Sequence, residues 1–474
     1  MKEIPITLYH RFLRSRLSDS HPNVFSSIIG RNILRFLERL YTETQYLPPE
    51  VLRVAQEELL RTRLAMFSAR NQFYRALLAE YGIRSGGIRD LGDLRLLPVI
   101  AKADFRKRSL AGLGTDGTDP ARRRFGVTSG STGEPFQFAA DRRYALPARA
   151  NFFRVWRWAG ANPHSPVISS AGPGMAGATP NTIFFHPHEV RAKQHEFIER
   201  IRASGARAIR GNPLTNFELG TAIRDGGARD IRFDYAFFMG NVLLDGIRRF
   251  FTREFGADVY DFYATQEFGP VAAECRAHHG LHIYEENFIV EIVDEQGIPV
   301  PDGARGRILI TSLLNEVMPF IRYAVGDTGV ILPGTCPCGR TLRRLTVEGR
   351  NEELLIRPDG QHLSPTIMRD ILDKYFDAFE RYRVMQLSPT RIRFEVVPTV
   401  GFSASLFVKA TDELQHCIGN DIIVEPLIAA NIPLTTAGKL QYFSSELWRQ
   451  RYARRTGEPR TPAHATPTYA AGSS

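Results

Sequence analysis

With 474 residues, 43% of them hydrophobic and 24% charged, the chain is long enough for two or three domains and ordinary in composition for a globular protein. No apolar run reaches the roughly 18 residues of a membrane span, and Met1-Lys2-Glu3-Ile4-Pro5 lacks the apolar core of a secretory leader, so the sequence reads as cytoplasmic with no membrane contact. The net charge of +10 is carried mostly by arginines scattered over helices (Arg11, Arg14, Arg16, Arg31, Arg35, Arg39) without an aromatic-interleaved stripe; this argues against nucleic acid, while four cysteines are too few for a disulfide framework and suit free thiols or a metal.

Residues Gly30 to Tyr81 have helical periodicity, with Ile33, Leu34, Leu37, Leu40 and Tyr41 on one stripe. Leu96 to Ile100 leads to Lys102 and Phe105, and Tyr144 to Trp158 forms a further helix with Phe152, Phe153, Val155 and Trp156 inward. Short apolar strands then alternate with helices. The strands are Val167–Ala171, Ala206–Ile209, Tyr235–Met239 and Val259–Tyr263; the helix Leu243–Phe255 is closed by Gly256. This alternation predicts parallel strands in α/β layers, whose ligands sit beyond the strands' carboxyl ends. From His282 the pattern turns to β, including Phe288–Val293, Gly306–Thr311 and Met318–Tyr323.

A second shift, at Gly349-Arg350, opens a small α+β module with helices over 365–375 and 410–418. The expected architecture is a large N-terminal domain of layered α/β sheets with a β-rich subdomain (1–349), a small mobile α+β C-terminal domain (350–445), and a basic, then disordered tail (446–474).

Chemistry concentrates first in Val127-Thr128-Ser129-Gly130-Ser131-Thr132-Gly133-Glu134-Pro135. Glycines let backbone N–H groups approach an anion, and hydroxyls add donors, so this loop is suited to phosphate. Four more segments follow in order. They are Asp261 to Gly269, with Tyr263 and Glu267; Arg322 to Asp327; Val347 to Glu353; and Pro433 to Leu440, with Lys439. Read singly, each has a plain structural alternative: Tyr263 in the core, Asp327 in a turn, Glu267 at a helix start, Lys439 on the surface.

Taken in order, these motifs over Leu96 to Phe443 resemble the adenylate-forming superfamily of acyl-CoA ligases and adenylation domains. The detail resembles its phenylacetate–CoA ligase branch, through Ala273-Glu274-Cys275, Gly280-Leu281-His282-Ile283, Pro319 to Tyr323 and Cys336-Pro337-Cys338-Gly339-Arg340. The resemblance implies that a carboxylate attacks the α-phosphate of ATP to give acyl-AMP, and that a thiol, usually coenzyme A, then displaces AMP. It implies that Thr128, Ser129, Gly130, Ser131, Thr132 and Gly133 hold phosphates, that Tyr263 lies against adenine, and that Glu267 binds Mg²⁺. Asp327, with Arg350 nearby, would hold the ribose, and Lys439 would enter during adenylation from a domain hinged near Glu352. The family more often has lysine where Glu134 stands, and glycine and a hydroxyl residue where Ala264 and Gln266 stand.

Strand-end logic places the acid, expected to be aromatic or hydrophobic, near Ser170, Ala171, Gly211, Asn212, Gly240 and Asn241. Three thiols and an imidazole, Cys275, Cys336, Cys338 and His282, would complete a closed, structural Zn²⁺ site of the kind this branch can carry, with His278 as the other candidate imidazole. Transfer to an amine or a carrier-protein thiol, and nucleotide binding without turnover, are the alternative functions. The oligomeric state, a dimer among the options, is left open.

Overall fold

The computed structural model describes residues 28–118, 123–128, 136–141, 144–170, 179–185, 190, 193–350, 353–360, 362–363, 365–433 and 440–448. The first helical region is three helices, α1 (Ile28–Thr44), α2 (Pro49–Arg70) and α3 (Gln72–Glu80). Pro49 suits the first turn of α2, where its missing N–H costs nothing. Asn71 breaks the run by capping α3, its side chain accepting from the Tyr74 N–H at 3.0 Å. Two short helices, α4 (Lys102–Arg106) and α5 (Leu110–Leu113), precede an antiparallel hairpin of β1 (Arg123–Thr128) and β2 (Phe136–Asp141). Gly126 has to be glycine here, because a Cβ would overlap the Phe138 ring on the paired strand.

The α/β alternation follows as α6 (Ala145–Ala159), β3 (Val167–Ser169), β4 (Thr182–Phe184), α7 (Gln194–Ser204), β5 (Ala208–Gly211), α8 (Pro213–Asp225), β6 (Tyr235–Met239), α9 (Asp245–Phe255) and β7 (Asp258–Thr265). Next come β8 (Gly269–Glu274), β9 (Leu281–Ile283), β10 (Phe288–Val293), β11 (Arg305–Ser312), β12 (Tyr323–Leu332) and β13 (Arg344–Arg350). All but the hairpin join one 11-stranded sheet, ordered β10-β11-β12-β13-β9-β8-β7-β6-β5-β3-β4. Its β7-β6-β5-β3-β4 half is parallel and the remainder antiparallel, so the β-rich part continues the α/β sheet. Buried on both faces, β6 sends Phe237 onto Trp156 of α6, centroids 4.2 Å apart, and Phe238 onto Phe251 of α9 at 5.0 Å.

One expected strand differs. Met318 to Arg322 is irregular, and β12 starts only at Tyr323. Arg322 has φ 46, and its buried guanidinium donates to Leu97 O at 2.6 Å and Gly297 O at 2.7 Å, so tertiary bonds override strand propensity.

The rest comprises a short pair, β14 (Leu355–Ile356) and β15 (His362–Leu363), then α10 (Pro365–Leu372), β16 (Phe379–Ser388), β17 (Arg391–Pro398), α11 (Ala404–Ile418), β18 (Ile423–Ile428) and β19 (Phe443–Ser445). The last four strands form a sheet ordered β18-β17-β16-β19, with Met368, Leu372, Ala410 and Leu414 packed in one core with Val384, Phe394 and Val396. That core also includes Phe250, Phe251 and Ile247 of α9, so the C-terminal module shares its apolar interior with the large sheet's helices. No described helix is long and apolar enough to cross a membrane.

Candidate active site

The end of β7 and the start of β12 meet beneath the hairpin. Tyr263, 8% exposed, donates its hydroxyl to Asp327 Oδ2 at 2.6 Å. Asp327 faces Arg350 across the β12–β13 ladder, and its Oδ1 lies 3.0 Å from Arg350 Nε. Burial, then the Asp327 charge, pushes the Tyr263 phenol well above its ordinary value, so it remains a donor at neutral pH. Each Asp327 oxygen retains acceptor capacity after these bonds.

Glu267 follows β7 in a tight turn and is also buried. Its Oε1 accepts from the Tyr323 hydroxyl at 3.0 Å and lies 3.7 Å from Lys102 Nζ. Lys102 sits at the start of α4, with its side chain 20% exposed. Burial lowers its pKa below the usual lysine range, while Glu267 opposes that shift. A cation and a carboxylate thus share a half-dry cleft, where each interaction is stronger than in water.

The hairpin holds the two described ends of the phosphate-loop candidate, Thr128 and Phe136, as a pair. Thr128, the last residue of β1, is 4% exposed, and its hydroxyl has no partner among the described residues. Opposite it, Phe136 stacks on Phe105 at 5.9 Å, and Phe105 stacks on Tyr323 at 5.7 Å. The aromatic column therefore ties both ends of the loop to the strand whose Tyr323 holds Glu267. Ser129, Gly130, Ser131, Thr132 and Gly133 lie outside the described residues, as do Ala171, Glu352 and Lys439.

A second cluster lies toward the opposite end of α6. The donor atoms of Cys275, His282, Cys336 and Cys338 all lie within 4.8 Å of one another. Cys275 and Cys336 Sγ are 3.7 Å apart, close to the ~3.8 Å edge of a tetrahedron with Zn–S bonds of about 2.3 Å. His282 Nε2 is 3.3 Å from Cys338 Sγ, and Nδ1 faces Leu342 O at 3.1 Å, which fixes the tautomer that leaves Nε2 free to ligate. Burial lowers the His282 pKa to about 4, so the ring is neutral, while burial drives the Cys275 thiol up to about 12. Such thiols become thiolates readily only beside a cation, and the donor set suits zinc. His278 turns away, with φ 50, to bond Glu274 and Asp258 at 3.1 Å each. Those hydrogen bonds, Asp258 first, raise its pKa to about 9, which makes it a structural cation.

No protein-family model matches the chain. Curated relatives do. The phenylacetate-coenzyme A ligase of Thermus thermophilus is 27% identical over 406 residues, covering 82% of this chain and 88% of the relative. The Escherichia coli protein of the same name is 25% identical over 366 residues, covering 73% and 82%. Over most of its length the chain is thus similar to phenylacetate–CoA ligases. Solved structures share its fold. A 2-hydroxyisobutyryl-CoA ligase in the postadenylation state matches with a TM-score of 0.74 at 19% identity, over 88% of this chain and 94% of that one. An anthranilate CoA ligase in complex with anthranoyl-AMP gives 0.52 at 14%, over 70% and 66%.

In this ligase-like chain the strand-end residues gather around β3, β5 and β6. Ser170 Oγ accepts from the Asn212 N–H and from Asn216 Nδ2, both at 3.1 Å. Asn212 spends its own side chain capping α8, bonding Leu214 N at 3.0 Å and Thr215 N at 3.3 Å. Gly211 and Gly240 adopt φ 123 and 90, as strand-to-loop corners at these two strand ends. Asn241 follows in the loop before α9.

Three residues were not singled out by sequence reasoning. Tyr323 and Lys102 flank Glu267; Arg210, 1% exposed on β5, bonds Ser169 Oγ at 3.2 Å and lies over Phe152. One signal for Lys102 is present in the sequence. The chain has only seven lysines among its 61 cationic residues, so an arginine-favouring sequence keeps lysine there and at 439. A lysine offers a compact point charge on a flexible stem, which a guanidinium does not.

Proposed function

We propose that the chain is an ATP-dependent ligase that activates a carboxylic acid as acyl-AMP and passes the acyl group to the thiol of coenzyme A. The observation that carries this reading is the proximity of Tyr263–Asp327–Arg350 to Lys102–Glu267–Tyr323, with Lys102 in electrostatic reach of Glu267, Arg350 and Asp327. Relatives named phenylacetate-coenzyme A ligase support an aromatic or other hydrophobic acid as the substrate class. Absence of a long apolar helix among the described residues fits reaction in aqueous solution, and the cytoplasm is the proposed location.

In the first step an acid oxygen bonds to the α-phosphorus, and the bond to the bridging oxygen breaks, releasing pyrophosphate. In the second the coenzyme A sulfur bonds to the acyl carbon, its proton is lost, and AMP departs with the C–O electron pair. Both reactants of the first step are anions, so positive charge must be in place before they meet. Lys102 supplies one such charge, and Glu267 favours its charged form against the effect of burial. Thr128 donates its hydroxyl to a phosphate oxygen, with Ser129 to Gly133 continuing that cradle. Asp327 accepts from the ribose hydroxyls, held in place by Tyr263 and Arg350. Glu267 offers a hard oxygen for Mg²⁺, which when bound offsets charge on the phosphates. Lys439 reaches the α-phosphate region during adenylation, carried by a C-terminal domain that begins near residue 350 and turns at Glu352.

The deciding measurement is ATP–pyrophosphate exchange over a panel of aromatic and aliphatic acids. Acid-dependent exchange is expected in the wild type, with a fall of about 10²-fold or more in Lys439→Ala, the size of losing one charge that stabilises the transition state. Equal exchange in both would remove the role given to Lys439, and none with any acid would remove the activity.

We also assign a structural zinc to Cys275, His282, Cys336 and Cys338. It would bind strands β8 and β9 to the loop before β13. Metal analysis of protein purified without an affinity metal is expected to find about one zinc per chain. If zinc is held at a thousand times its dissociation constant, stripping it should cost about 4 kcal/mol of stability. A melting curve unchanged by a strong chelator would refute the site's occupancy.

A further inference from the structure

Helix α9 starts where a helix is normally incomplete. Its N-cap residue is Leu244, which offers no side-chain acceptor to the first turn. The missing acceptor comes from the C-terminal module. Asp373, just after α10, accepts the Asp245 N–H on Oδ2 at 2.9 Å. Asp373 is 5% exposed, and burial raises its carboxyl pKa to about 6, so at neutral pH it mostly carries the negative charge that a helix N-terminus attracts. One turn further on, Arg249 donates to the Asp373 carbonyl at 2.7 Å.

Packing reinforces this cap. Phe376 lies against Phe217 of α8 at 4.9 Å and over Gly246, the second residue of α9. Any Cβ at Gly246 would overlap the Phe376 ring, so the notch exists only because that residue is glycine. A part-buried pair, Arg381 with Glu218, and an exposed one, Arg253 with Asp377, complete the contact between the module and the helices of the parallel sheet. Helix α9 follows directly from Gly240-Asn241 at the end of β6, so the module is fastened to the element that leaves the strand-end site.

We propose that Asp373 and Phe376 form a latch that holds the C-terminal module on α9 in the present orientation and thereby sets how the protein divides its time between its two half-reactions. The proposal rests on the two-step ligase reading above. Asp373 and Phe376 are positioning residues; they act by biasing where the module sits. Within that larger contact, the cap and the seated ring fix where α10 meets the start of α9, so removing them biases the module's position without dismantling the shared core. Loss of the latch should slow one half-reaction relative to the other, because the total is shared between two orientations.

The test assays both half-reactions separately in the full chain: acid-dependent ATP–pyrophosphate exchange, and conversion of supplied acyl-AMP with coenzyme A. Asp373→Ala is expected to shift the ratio of the two rates at least tenfold. Gly246→Val, which blocks the notch from the other side, should shift it in the same direction. Asp373→Asn keeps an acceptor for the Asp245 N–H and should return the ratio to within threefold of wild type. A merely structural role would lower both rates together. An unchanged ratio in both Asp373→Ala and Gly246→Val, or opposite shifts, overturns the latch. Should Asp373→Ala fail to fold, Gly246→Val and Asp373→Asn decide alone. Absence of exchange in the wild type with every acid overturns the ligase reading and the latch's role with it, a result distinct from exchange with an unmoved ratio.

Discussion

Glu267→Gln is expected to lower acid-dependent ATP–pyrophosphate exchange by about 10²- to 10³-fold while the protein stays folded. The amide is nearly isosteric and still offers Tyr323 an acceptor, so the hydrogen bond now 3.0 Å long survives in kind. The negative charge is what disappears, with two consequences. The proposed metal loses its carboxylate ligand. Lys102 also loses the neighbour that supports its charged form against burial. The sign follows directly. A lysine with a depressed pKa is charged below that pKa and loses its charge as pH rises through it. Without Glu267 the pKa falls further, so the alkaline limb of the exchange profile should move toward lower pH. A drop in rate with an unmoved limb would separate the metal role from the support of Lys102. An unchanged rate would remove Glu267 from the mechanism.

Legibility in the sequence followed locality. The strands from Val167 to Tyr263 are short apolar runs bounded by Gly, Asn and Pro, and burial on both faces of a parallel sheet requires that pattern. Gly256 closes α9 in the left-handed conformation, φ 74, as a helix C-terminal glycine should. Tyr263, Glu267, Asp327 and Arg350 were legible by another route: each belongs to a short segment whose order along the chain resembles a known family. Their individual periodicity says nothing about chemistry.

What escaped was set by contacts distant in sequence. Lys102 escaped because only the packing of α4 against β12 brings its ammonium to Glu267, a pairing that no local pattern encodes. The expected strand before Tyr323 fails because Arg322 is held by carbonyls from two distant loops. The choice between His278 and His282 was open for the same reason. Both follow Cys275 closely, and only the turn at His278, which sends its ring to Glu274 and Asp258, leaves His282 beside Cys338. Continuity of the antiparallel strands with the parallel ones is likewise a matter of sheet order: β8 joins β7 through a three-residue turn containing Glu267, so the catalytic carboxylate candidate sits where the sheet changes from parallel to antiparallel.

Asp327→Ala should combine a stability loss with a nucleotide-specific defect. Removing the carboxylate leaves the Tyr263 hydroxyl buried without its acceptor, which costs about 1–3 kcal/mol. Arg350 is more than one-third exposed and keeps a bond to Val325 O at 3.3 Å, so its share of the loss is at most about 1 kcal/mol. Roughly 1–4 kcal/mol is therefore expected from denaturant unfolding. Asp327→Asn retains an oxygen for Tyr263 and should lose about 1 kcal/mol. The two variants part company from a general destabilisation when nucleotide is added. If Asp327 holds the ribose through charge-assisted hydrogen bonds, losing them costs about 3 kcal/mol, which is roughly a 100-fold rise in the KM for ATP. The KM for the acid should move far less, because no acid atom is assigned to Asp327. A variant that melts earlier but binds ATP as wild type does would make the Tyr263–Asp327–Arg350 group a structural tie between β7, β12 and β13, and the nucleotide would then have to be held by the hairpin loop and the Lys102–Glu267 pair.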